Sequence, residues 1–189
     1  MKKRNSVLVT SIFAVAFLAG TFGYAQRQVF QAQSMGQGTQ MGQNFSITLT
    51  IDEYSPPEDQ KVLLDAFEKA GNKGLINALD KMKSKGHISV TGTMGYDVSY
   101  AREFQSASGR KIRAITKRPV TLGEAWTDSR SMDYQLTVLE LDLNEDKTKD
   151  AGVLMPLVEF TVDKKTNELN LKLARNPWKL VNIQDRSKK

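Results

Sequence analysis

The chain has 189 residues, with 27 Lys plus Arg against 21 Asp plus Glu, one His and no Cys, for a formal charge of +6. That inventory excludes a disulfide scaffold, a thiolate metal site, a Cys nucleophile and a His-rich metal cluster. Its 40 % apolar and 25 % charged residues suit an ordinary globular domain, not a coiled coil or a polytopic membrane protein.

Residues 1–25 read as an export signal. Lys2, Lys3 and Arg4 precede an uncharged, mostly apolar run from Ser6 to Gly20. Gly23 and Ala25 are the small residues that signal peptidase cuts behind. The run is short for a membrane span, which takes about 20 residues; an uncleaved anchor is the alternative. No Cys follows it, so no thiol is available for lipid acylation. Cleavage after Ala25 removes three positive charges and leaves +3 over 164 residues. The basic whole-chain charge is therefore poor grounds for a nucleic-acid partner, and the remaining length fits one domain.

Residues 26–44, QRQVFQAQSMGQGTQMGQN, contain seven Gln and three Gly and read as a flexible linker with little to bury. Phe45, Ile47, Leu49 and Ile51 alternate with Ser46, Thr48 and Thr50, the period-two pattern of a half-buried strand. Ser55-Pro56-Pro57-Glu58 reads as a helix start capped by Ser55. Val62, Leu63, Ala66, Phe67 and Ala70 recur at helical spacing up to Gly71, and Leu75, Leu79 and Met82 mark a second arm from Gly74 to Lys83. Residues 57–85 are thus expected to form a helical hairpin.

From His87 onward the pattern is strand. Strands are expected at Ile88–Val90, Tyr96–Phe104, Arg110–Val120, Met132–Asn144, Gly152–Asp163, Leu169–Leu173 and Trp178–Ile183. Short turns between them imply antiparallel neighbours. The fold class expected is α+β: a curved, mostly antiparallel sheet or partial barrel of about eight strands, with one helical hairpin. The domain would run from 45 to 184, with a charged tail at 185–189. Phe45, Ile47, Tyr96, Val98, Tyr100 and Leu136 are expected on the inner face, and Leu141 and Leu171 in the core.

Asp142, Asn144, Asp146 and Asp150 place oxygen donors at alternate positions, as in a calcium loop. Lys147 stands where that loop needs Gly, and Val153 where it needs Glu, so a charged hairpin turn explains the run better. No metal or other cofactor is expected. His87 is a candidate general base, but no nucleophile-elbow motif accompanies it. Glu124, Asp128, Asp133, Glu140 and Glu159 are scattered carboxylates from which a glycosidase-type pair would have to come. There is no phosphate-binding glycine motif. Lys81, Lys83 and Lys85 form one basic cluster; Arg110, Lys111, Arg113, Lys117 and Arg118 form another. Tyr96, Tyr100, Trp126, Arg110 and Arg113 are the candidate ligand-binding residues, as aromatics and cations near one sheet face.

Thr116-Lys-Arg-Pro119, Ser131-Met-Asp-Tyr134, Leu139-x-Leu141 and Asn176-Pro-Trp-x-Leu180-x-Asn182 resemble motifs of a family of small exported bacterial proteins of unknown function. The resemblance spans most of residues 45–184. It implies export and a single domain, and no activity or catalytic residue.

The functional expectation is an exported, periplasmic or secreted, non-enzymatic protein that binds or scaffolds. Its partner would be an envelope component or a small amphiphilic ligand, with membrane contact only through the signal segment. One alternative is a hydrolase using scattered carboxylates or His87. Another is a binder of an anionic envelope component through the basic strand 110–118.

Overall fold

The computed structural model describes residues 27–107, 109–120, 136–162, 169–173 and 176–187. The expected leader, Trp126, Glu124, Asp128, Asp133 and the 131–134 motif lie outside the described residues. The strands are β1 (Gln28–Met35), β2 (Asn44–Ile51), β3 (Gly86–Val90), β4 (Tyr96–Ser106), β5 (Gly109–Thr116), β6 (Leu136–Asn144), β7 (Ala151–Val162), β8 (Leu169–Leu173) and β9 (Trp178–Asp185). One helical segment, α1 (Pro57–Lys81), lies between β2 and β3. The sheet order is β6-β5-β4-β3-β2-β1-β9-β7, and β7 also pairs with β6, so eight antiparallel strands close into a barrel. β8 is a ninth strand, paired to β7 past the point where β9 leaves it. The architecture is mostly β and closed, where a curved or partial barrel of α+β class was expected.

The closing strand is β1, in the segment expected to be a linker. Its glutamines hide a period-two pattern: Phe30, Ala32 and Ser34 are buried, while Gln31 and Gln33 face outward. β1 pairs with β2 on one side and β9 on the other. A strand flanked on both sides gains main-chain hydrogen bonds that its composition does not reveal.

Two apolar layers result. The barrel interior is occupied by its own side chains, among them Phe30, Ile47, Leu49, Ile88, Val98, Ile112, Leu141 and Trp178. The second layer lies outside the wall, where Tyr100, Ile115, Leu136, Val138, Met155, Val158 and Phe160 meet Leu63, Leu75 and Leu79 of α1. Tyr100 and Leu136 were expected on the inner face with Val98, and they belong to this outer layer instead. A register shift in β4 between Val98 and Tyr100 reverses the alternation, so Ala101 joins Val98 inside. Ser55 fills the bulge: its N–H donates to Ala101 O at 2.7 Å, and its hydroxyl accepts from Ala101 N–H at 3.1 Å. Ser55 therefore does not cap α1, whose N-cap is Pro56. Leu141 is 1 % exposed, as expected, but Leu171 on the outlying β8 is 36 % exposed.

The expected hairpin is one helical segment broken at Ala70–Gly71, where Gly71 has φ +56°. The second arm passes so close to the first that a Cβ on Gly74 would lie 2.1 Å from the Ala66 carbonyl oxygen. Only glycine fits there. Asn72, just after the break, ties the segment to the wall. Its amide donates to Phe160 O at 2.7 Å and accepts from Phe160 N–H at 2.8 Å. β6 pairs with β7 only as far as Val158, so Asn72 takes the place of a strand neighbour at Phe160.

Candidate functional site

The helix break builds a groove of about 540 Å³ on the outside of the barrel. Val62 and Ala66 of the first arm and Ala78 and Met82 of the second contribute apolar wall. Lys81, Lys83, Lys85 and Asp59 are the ionisable residues that line the groove among the described residues. Val62, one of the apolar residues at helical spacing, is 52 % exposed and lines this groove. Leu63, one position on, is the residue of that turn that packs on the barrel.

Lys85 anchors the groove to the barrel. Its backbone N–H donates to Val98 O at 2.7 Å, and its carbonyl accepts from Asp52 and Glu53. Its ammonium lies 2.9 Å from Glu53 Oε1 and 3.6 Å from Asp59 Oδ2, with the side chain 11 % exposed. The hydrogen bond and charge of Lys85 hold the Glu53 carboxyl below its usual value. The lysine cluster is visible in the sequence. Glu53 and Asp59 lie 32 and 26 residues upstream of Lys85, and no local spacing ties them to it.

Among the described residues, the candidates singled out from the sequence lie in different parts of the barrel. Arg110 caps one end of the barrel interior. It stacks 5.7 Å from the Phe30 ring centroid and pairs with Glu103 at 2.8 Å and Asp185 at 3.7 Å. It also donates to Gln28 Oε1, which accepts from the Tyr54 hydroxyl at 3.0 Å. Burial, then the Glu103 charge, pushes the Tyr54 phenol far above its ordinary value. Arg113 lies on the outer face, 2.6 Å from Glu140, and shares the Phe104 ring with Arg102. Tyr100 is under α1, and burial raises its pKa. Tyr96 packs beside the interior cluster.

The basic strand is neutralised by its neighbours. Lys111 pairs with Asp142, Arg113 with Glu140, and Lys117 with Asp80. Arg118, at the end of the run, makes no ion pair among the described residues and lines the groove beside His87.

Three of the four oxygen donors of the 142–150 run, Asn144, Asp146 and Asp150, serve their own turn, while Asp142 pairs with Lys111. Asn144 Oδ1 accepts from Asp146 N–H, Asp146 from Thr148, and Asp150 from Asn144 N–H at 2.6 Å. Lys149 lies 3.2 Å from Asp146.

His87 shares a groove of about 380 Å³ with Tyr96, Asp97, Lys117 and Arg118. Its Nε2 faces Met94 O at 3.1 Å and its Nδ1 faces Asp97 at 3.4 Å. Both ring nitrogens are turned to protein oxygens. Glu140 stands opposite Val153 on β7, six residues from Glu159. That separates the two by roughly 15–20 Å along the strand, beyond the spacing of a glycosidase pair.

No family model matches the chain, and no solved structure matches it.

Proposed function

We propose that the protein is an exported, non-enzymatic binding module. Its ligand is a single-chain amphiphile with an anionic head, seated in the groove between the two arms of α1. The observation that carries this reading is the groove's division of labour: Val62, Ala66, Ala78 and Met82 offer apolar wall, and Lys81 and Lys83 line it beside Lys85, which Glu53 and Asp59 already hold. An alkyl chain buries its surface against that wall, at about 25 cal/mol per Å² of apolar area removed from water. A carboxylate or phosphate head answers the lysines.

The barrel interior supports the same placement, because its own side chains occupy it. Its polarity is also the reverse of a membrane-spanning barrel, with apolar side chains inside and Gln31, Gln33, Arg113 and Glu140 outside. The export reading rests on residues 2–25.

The test is titration of laurate into the mature chain below its micelle concentration, followed by backbone amide NMR. Shifts should cluster at Val62, Ala66, Ala78 and Met82. Neutral monolaurin should bind more weakly, and Val62→Asp should abolish the response without unfolding, since Val62 is half exposed. Shifts confined to the barrel interior, or none at all, would sink the proposal.

A further inference from the structure

We infer that the outer face of β9-β1-β2 is a recognition surface for a neutral saccharide, separate from the helical groove. The face carries a shallow groove of about 460 Å³. Its polar lining is Gln31 and Gln33 of β1, Ser46 and Thr48 of β2, and Asn182 and Gln184 of β9. Among the described residues no ionisable side chain lines it, on a chain in which one residue in four is charged. A solvated surface of this composition ordinarily mixes both signs of charge. Four amides and two hydroxyls instead present both donors and acceptors, the complement of a sugar's hydroxyls.

Much of that capacity is unspent. Asn182 Nδ2 donates to Gln33 Oε1 at 2.9 Å, and Arg186 donates to Gln184 Oε1 at the end of the row. Among the described residues, the side chains of Gln31, Ser46 and Thr48 and the Gln33 amide nitrogen make no hydrogen bond to protein.

The groove owes its shape to a backbone irregularity. The β1–β9 register shifts between Gln31 and Gln33. Opposite the shift, Asn182 has φ 52°, the one positive φ outside glycine among the described residues. Asn tolerates that left-handed conformation better than most side chains. A flat ladder would present a level row; the bulge opens a depression beside it. Ile183, next to Asn182, packs inward against the interior cluster, so the polar side chains of the face stand over a filled barrel.

The experiment is saturation-transfer NMR and calorimetry on the mature chain with maltohexaose, cellohexaose and chitohexaose. At least one should bind with a Kd of about 1 mM or tighter, and affinity should not change with salt, since no ion pair forms. The double substitution Gln31→Ala/Gln33→Ala, and separately Asn182→Gly, should each weaken that binding at least about tenfold at unchanged melting temperature. Glycine keeps the left-handed backbone and removes only the amide. The inference is overturned if none of the three sugars binds, if binding survives both variants, or if affinity falls steeply with salt. Val62→Asp should leave sugar binding intact, which keeps this result distinct from the amphiphile test.

Discussion

The two outer faces of the barrel are built from the same kind of strand and end in opposite conditions. Over β4–β7 the outward residues are Tyr100, Ile115, Val138, Met155 and Phe160, and α1 covers them. Over β9-β1-β2 they are Gln31, Gln33, Ser46, Thr48 and Gln184, and they form an open groove. The closed wall supplies the same main-chain hydrogen bonds to both. What a face does next depends on its outward side chains: an apolar set must be covered, and an uncharged polar set is stable in water and can exchange water for a ligand. The helix is thus a consequence of the first face, and its groove is a by-product of how the helix bends to cover it.

Four substitutions sharpen this contrast. Leu79→Ala removes a fully buried side chain between α1 and the wall. It should cost ~2–5 kcal/mol in denaturant unfolding and should raise proteolytic cutting of 57–81; a loss near zero would mean that the helix is not the cover.

Asn72→Ala leaves the N–H and C=O of Phe160 without their partner. It should cost about 1–3 kcal/mol, with hydrogen exchange accelerated first at Phe160. Equal exchange there in both proteins would refute the role of Asn72 as a strand substitute.

Glu53 tests how the groove is fastened. Lys85 lowers its pKa from the ordinary 4.5, so the folded value lies below the unfolded one. The pair therefore stabilises the fold above about pH 4.5, and that contribution is lost as pH falls through the folded value. Glu53→Gln should flatten the fall of stability with acid over this range; an unchanged slope would break the assignment.

The smallest effect belongs to the open face. Thr48→Ala should change stability by no more than about 0.5 kcal/mol, because its outward hydroxyl supports nothing beneath it. A large loss by thermal melt would show that this face is structural.

The strands from Phe45 on were legible because each is rich in β-forming residues, and β2 and the first half of β4 also alternate polar and apolar side chains. Leu141 lies in the core as expected, and Val98 faces inward as that alternation predicts. Tyr100 does not, because the bulge that turns it outward is held by Ser55, 46 residues away in sequence. The candidate grooves were the least legible parts. Asp59, Val62, Ala66 and Lys81–Lys85 become neighbours only through the sharp turn at Gly71, and Gln31 meets Gln184 only across the β1–β9 seam.

The order of polar and apolar residues was enough by itself to specify antiparallel strands and a helical insertion that breaks at Gly71. Period and composition act within a few residues of each other, so they can be read locally. Closure of the barrel was decided by tertiary structure, in the pairing of Met35 with Lys179 and of Phe30 with Asp185. Those partners are about 150 residues apart. The glutamine-rich β1 has too little apolar surface to declare itself a strand, and it becomes one because two other strands leave their edges open on either side of it.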